Sequence, residues 1–517
     1  MALIGAPATV VADDVRQSST DKAMYFHSHI SDAPACAVTA AADGTFTFAP
    51  EITNPAATCP DAFAWTQFLG AIQAEFWQQW ANDETVWVAQ PKPLCTADRP
   101  DDCCFVDAEA TPQVGYRDAA GEIVAPAVVG GPGEHCPYIP ADWGGAEETE
   151  FAGGKPFRSH NTTFLRTLDP ARIARQQEVE VVYRNDSFVR YATENELYSR
   201  AGLAKLFATV AGEAAHSRPY RPTGQGVSFP PDAVMFKVDW IAEATMIELG
   251  YLEEDPNAPG RALPGDRPYV TQTIKASHDG GKTYQEGLYF LAAITGASKA
   301  LPNWHWYAFE HVDNLGRCDF TGCNDSYGFT TEVTIYAPEQ PAGDAPTATQ
   351  RFDSNFVPPH VIDDQLDDDQ DLFDLGKRYP SGAITDGLRA LFEATGIGAG
   401  TAEADGLAPA DPAWRNYRLK GTQTEFVGND GYPTIVGASI TEGGFVNSAS
   451  CLSCHVQASV DAAGKPGTSV GGTGRLNLFG IGTSVNGPPE VGDYYLRGTT
   501  QQHAVPTDFV WGILFAE

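Results

Sequence analysis

The apolar positions change period along the chain, and that change divides it. Trp65, Phe68, Leu69, Ile72, Phe76 and Trp80 recur at helical spacing, which predicts one helix with an aromatic core face. Residues 155–345 read mainly as strands. The runs Glu178 to Tyr183, Val234 to Ile241, Gly287 to Thr295, Trp304 to Val312 and Thr331 to Tyr336 are β-branched or aromatic and bounded by Gly, Pro and Asn. In the second run Val234, Phe236, Val238 and Trp240 alternate with Lys237 and Asp239, the pattern of a half-buried antiparallel strand. A helix is expected over 194–214 and another over 384–395. The predicted class is α+β, mainly β. Residues 1–150 would hold the helix and disulfide-tied loops, 151–345 an antiparallel β-sandwich-like layer, and 346–517 a helical, loop-rich segment.

Composition narrows what such a chain can do. Its 517 residues exceed one hydrophobic core and suggest two or three domains. Apolar residues at 43% against 19% charged, with 51 Gly and 37 Pro, mark a folded, loop-rich protein rather than a coiled coil or a disordered chain. The 33 basic and 67 acidic residues give a net charge of −34, which repels nucleic acid and anionic headgroups. Solubility, a saline habitat or a cationic partner would each suit it. No apolar run approaches the ~20 residues of a membrane span. The start, Met1 to Pro7, lacks the cationic region of a secretory signal, and the cysteines are the residues that bear on export.

Those cysteines form two groups. Cys451-Leu452-Ser453-Cys454-His455 is a C-x-x-C-H pentapeptide, in which two thiols add across the vinyl groups of haem and the next imidazole becomes the proximal iron ligand. A thioredoxin-like pair would need a βαβ context, and a zinc half-site a second C-x-x-C; neither is found. By this motif the chain resembles c-type cytochromes. The segments Phe229 to Trp240, Asn303 to Asn314, Ser448 to His455 and Asp508 to Trp511 are also similar to landmarks of uncharacterised exported bacterial proteins grouped as cytochrome c family. The resemblance implies one covalent haem c, with Cys451 and Cys454 as attachment points and His455 as proximal ligand; it implies no particular activity. Haem c attachment and lasting disulfides both belong outside the cytoplasm, so a periplasmic or secreted bacterial protein is expected. The other cysteines, Cys36, Cys59, Cys95, Cys103, Cys104, Cys136, Cys318 and Cys323, are an even set suited to bridges. Cys318 and Cys323 bracket a Gly-containing turn and invite a small loop-closing bond, whereas vicinal Cys103 and Cys104 should pair elsewhere.

The sixth iron ligand decides what such a haem does. No methionine follows the motif: the four are Met1, Met24, Met235 and Met246. His503 is the one downstream imidazole and a candidate distal ligand, against the plain reading of an exposed loop histidine; Lys465 is a weaker candidate. An open iron would instead favour an enzyme, a peroxidase or small-molecule oxidoreductase. In the strand around 304–313, alternation sets His305, Tyr307, Phe309 and His311 opposite Trp304, Trp306, Ala308 and Glu310. Glu310 among indoles, with a raised pKa, and His311 are thus weak catalytic candidates, with packing as the rival reading. His305 and His311, about 20 Å apart, cannot share a metal. His27 and His29 lack a third ligand. The acidic run Asp363 to Asp371 suits calcium weakly, because the EF-hand pattern is absent and a solvated loop explains it as well. The reading is an exported monohaem c-type protein in electron transfer with a redox partner protein or small-molecule donor or acceptor; a haem enzyme with an open distal site is the alternative.

Overall fold

The computed structural model describes residues 35–82, 178–214, 226–276, 285–336, 348–357, 378–401, 407–428, 434–467 and 494–516, with short gaps inside some stretches and a few positions besides, Asp32 among them. Cys95, Cys103, Cys136, His27, His29 and the acidic run 363–371 lie outside the described residues, as does the side chain of Cys104.

The first helical stretch is two helices, α1 (Pro60–Gln73) and α2 (Phe76–Gln79), parted where Glu75 takes φ 48°. Strand β1 (Glu178–Arg184) leads into α3 (Asp186–Glu194), capped by Asn185, and α4 (Arg200–Ala214). The helix expected over 194–214 therefore starts later, and a separate helix precedes it. Then come β2 (Val234–Ala242), β3 (Thr271–Ala276), β4 (Gln285–Ser298) and β5 (His305–His311). Helix α5 (Asp386–Thr395) starts at a Thr385 cap and ends at Gly396 in the left-handed region. Strand β6 (Tyr417–Gln423) and the single turn α6 (Cys451–His455) follow.

Six strands make one antiparallel sheet in the order β6-β5-β4-β2-β1, with β3 also paired to β4. The expected α+β class with strand predominant is the class observed. The edge strand β6 comes from beyond residue 345, and α1, from before residue 150, crosses a face. That face carries Tyr307, Phe309, Val181, Phe236 and Leu419, packed on Trp65, Phe68 and Phe76. Phe68 stacks on Phe309 with ring centroids 4.3 Å apart. Gly296, opposite Tyr307 in the register, is required there, since a Cβ would stand 2.1 Å from the tyrosine ring. The other face carries Trp306, Ala308, Met235, Ala293 and Ala297 under α3, α4, α6 and the 505–513 segment. The layers covering this sheet are thus helix and loop among the described residues. Asp239 does not face water as a half-buried strand implied, because those layers cover the second face too, while Lys237 keeps 28% of its side chain exposed.

Cys318 and Cys323 are bridged as expected, and Cys36 is bonded to Cys59 at the start of α1. Smaller sheets include one of three strands formed by 329–336, 348–354 and 383–384. No helix among the described residues is long and apolar enough to cross a membrane.

Three carboxylates anchor the N-terminus of α1. Asp32 accepts the amides of Asp61 and Ala62 at 2.8 and 2.9 Å. Asp61 accepts the Ser326 amide and hydroxyl and the Thr422 hydroxyl. Asp325 accepts Trp65 Nε1 at 2.9 Å and the Gly328 amide at 2.6 Å. Burial first, then the Asp61 charge, pushes Asp32 and Asp325 from 3.8 up to about 8. Folding therefore retains protons that the unfolded chain releases near pH 4, and this contribution to stability is lost as pH rises toward 8. Asp32→Asn, which keeps an acceptor for the helix, should gain stability relative to the parent progressively between pH 4 and 8. Denaturant unfolding at stepped pH checks this, and a constant difference would refute it.

Candidate functional site

The C-x-x-C-H pentapeptide is the turn α6, and its placement begins in the sheet. Ser450 caps the turn, its hydroxyl accepting the Ser453 amide. Gln423, the last residue of β6, grips the same point. Its Nε2 donates to Ser450 Oγ at 2.8 Å and to Thr434 Oγ1 at 2.7 Å, and its Oε1 accepts the Leu452 amide at 3.0 Å. A single helical turn is too short to persist alone, so the side chain of a sheet residue supplies the restraint. Cys451 is buried, its thiol directed at the Val436 carbonyl, and burial first, then Glu442, raises its pKa well above the ordinary range. Cys454 is half-buried, and Trp511 Nε1 donates to its carbonyl at 3.2 Å. Neither cysteine is in a disulfide.

His455 has one defined partner. Its Nδ1 lies 2.9 Å from the Phe509 carbonyl oxygen, which can only accept, so Nδ1 carries the proton. Burial outweighs that bond and lowers the ring's pKa to about 4. The imidazole is therefore neutral, with the Nε2 lone pair bare, and among the described residues nothing hydrogen-bonds Nε2. Trp306 of β5 flanks the ring at 4.4 Å between centroids, itself fixed by Nε1 donating to the Asn303 carbonyl. Nothing in the pentapeptide's own spacing points to Gln423, Phe509 or Trp306 as its supports.

Charged groups line the sheet face beside this turn. Lys237 pairs with Glu180, and Thr441 donates to Asp239. Carboxylate oxygens of Glu178, Glu180 and Asp239 lie within 4.8 Å of one another. Burial first, then Glu180, raises Asp239 to about 7, while Lys237 and Thr441 lower it. Burial opposes the charge on Lys237, but Glu180, Asp239 and Glu178 outweigh it and raise its pKa. Lys237 and Glu180 are close enough to act on His455 as well.

The other candidates fall elsewhere. Glu310 is on the expected face but not among indoles. Its Oε1 accepts the Ser439 amide at 2.7 Å and its Oε2 the Ser439 hydroxyl at 2.6 Å and Asn314 Nδ2 at 3.2 Å, with Lys420 Nζ 3.5 Å away. This is a satisfied buried carboxylate. His311 is on the opposite face, stacked on Tyr269 at 3.4 Å, with Nε2 3.2 Å from the Pro268 carbonyl; burial holds its pKa well below 6.5. His305 is buried against Phe63 and the Pro60 carbonyl, its pKa lowered to about 4 by burial. Lys465 is exposed. His503 lies just ahead of the 505–506 strand, which pairs with 459–460 after the motif. Its Nε2 is buried without a hydrogen-bond partner, and no contact joins it to His455 among the described residues.

No family model matches the chain, and no curated protein or solved structure is significantly similar to it.

Gln423→Ala should leave the Leu452 amide unpaired and remove one hydrogen bond each from the Ser450 and Thr434 hydroxyls. Unmade buried hydrogen bonds cost roughly 1–3 kcal/mol each before relaxation, so a net loss of about 2 kcal/mol is expected in denaturant titration, with no loss predicting that the turn stands unaided.

Proposed function

We propose that the chain is an exported monohaem c-type protein acting in electron transfer, tethered through Cys451 and Cys454 and ligated by His455. The observation that carries this reading is the state of His455: neutral, with Nδ1–H committed to the Phe509 carbonyl and Nε2 bare. That is the form in which an imidazole ligates a metal, oriented by a second-shell acceptor. The two cysteines one helical turn apart and outside any disulfide also fit covalent attachment. When bound, haem supplies a one-electron couple at its iron.

The chain's residues have separable tasks. The Phe509 carbonyl orients the ring and strengthens its donation to a metal. Trp306 and the apolar cluster that includes Cys451 and Leu452 pack beside the proximal side. The Cys36–Cys59 and Cys318–Cys323 bridges support an oxidising compartment, in agreement with export. His503 is retained as a candidate distal ligand because its Nε2 is buried and unpartnered.

A second reading, a haem enzyme with an open distal site, is favoured by one observation. Glu180 and Asp239, buried, and the partly exposed Lys237 form a charged group beside the motif that can hold and move a proton.

Purified protein should show a mass increase of one haem that survives denaturation and disappears in Cys451→Ser/Cys454→Ser. A low-spin spectrum unaffected by carbon monoxide in the reduced form supports a carrier. High-spin iron or a Soret shift with the gas supports the enzyme, and an absence of covalent haem refutes both. His503→Ala should convert low-spin to high-spin iron; an unchanged spectrum removes that residue from the iron.

A further inference from the structure

The Phe509 carbonyl that fixes His455 belongs to a strained turn, and the strain needs a restraint. Asp508 and Phe509 are consecutive non-glycine residues with φ 52° and 68°, and Trp304, close by, has φ 63°. Left-handed backbone is disfavoured for such side chains and persists only where surrounding structure over-determines it. Within the turn itself, the Val510 amide donates to the Thr507 carbonyl and the Thr507 hydroxyl to the Val510 carbonyl, both at 3.1 Å.

Two contacts hold the turn from outside: the Thr507 amide donates to the Ala458 carbonyl at 3.0 Å, and Asp508 ties the left-handed pair itself to the sheet. Its Oδ1 is 2.6 Å from Lys299 Nζ, with side-chain exposures of 7% and 9%, and its Oδ2 accepts the Phe229 amide at 2.8 Å. Lys299 follows the end of β4 directly, donates also to the Pro302 carbonyl at 2.8 Å, and lies 5.7 Å from the Trp304 ring centroid. A lysine fixed to the sheet is thus tied to a residue whose neighbour supplies the imidazole's acceptor.

We infer that the buried Lys299–Asp508 pair is a positioning device for His455, holding the 508–509 turn so that the Phe509 carbonyl selects the Nδ1–H tautomer and leaves Nε2 as the ligating nitrogen. Its functional meaning rests on the proposed role of His455 in binding haem, while the tautomer claim stands without it. Removing Lys299 leaves Asp508 buried without its counter-charge. The turn then relaxes, Nδ1 loses its acceptor, and the ring donates less electron density to a bound iron.

The test uses the full chain as purified. Lys299→Met should raise the haem reduction potential and, in reduced protein labelled with 15N-histidine, shift the His455 ring signals from those of a defined Nδ1–H ring. Lys299→Arg should return both readouts toward the parent. Should Lys299→Met fail to fold, Lys299→Met/Asp508→Asn decides: it buries no lone charge, keeps an acceptor for the Phe229 amide and suits left-handed backbone. A folded variant without the pair that keeps the parent potential and ring signals overturns the inference and leaves the haem reading intact. If no haem is attached, the haem reading fails, and the ring signals alone judge the tautomer claim.

Discussion

A strand buried along its whole length has to satisfy two cores at once, and β5 is such a strand. All seven residues from His305 to His311 are buried. The two-residue period sends Tyr307 and Phe309 into the core under α1 and Trp306 and Ala308 into the core under α6. A slip of one residue would exchange those sets and place Glu310 in an aromatic layer. The long hydrogen-bonded register with β4 and β6 fixes the strand against that slip. Both the helix at one face and the pentapeptide at the other take their positions from it.

The second constraint is charge without water. A chain of net charge −34 can keep most of its carboxylates at the surface, yet several are enclosed here. Each buried carboxyl, ionised or protonated, needs partners to offset desolvation. Glu310 has Ser439, Asn314 and Lys420; Glu180 has Lys237; Asp325 has Trp65 and two backbone amides. The partners come from distant parts of the sequence, so these contacts form only when the whole fold closes. They lock its elements together more through specificity of pairing than through net stabilisation.

Strain and chemistry coincide at the end of the chain. Among the described residues the left-handed non-glycine positions are Glu75, Glu196, Trp304, Asp508 and Phe509. The last three gather around Trp306 and His455. A turn in that conformation presents a carbonyl where an extended chain would have directed it elsewhere, and this one meets an imidazole nitrogen.

Much of this was legible in the residues. Alternation in Trp304 to Val312 and in Val234 to Ile241 assigned each side chain to its face correctly, because strand geometry is local. The C-x-x-C-H spacing and the Cys318 to Cys323 loop were equally plain, since both depend on neighbours in sequence. What covers each face was not local. Asp239 looked solvent-facing because nothing in its own strand announces α3, α4 or α6. Glu310 was expected among indoles because Ser439 and Lys420, its actual partners, are remote in sequence. Gln423 and Lys299 carried no motif at all, and the Asp508 to Trp511 landmark named no role for Asp508 or Phe509. The sequence by itself determined the elements, their two-faced pattern and the chemistry of the pentapeptide. Only the tertiary structure decided which groups lose water and which carbonyl meets His455, because both depend on packing between segments from tens to hundreds of residues apart.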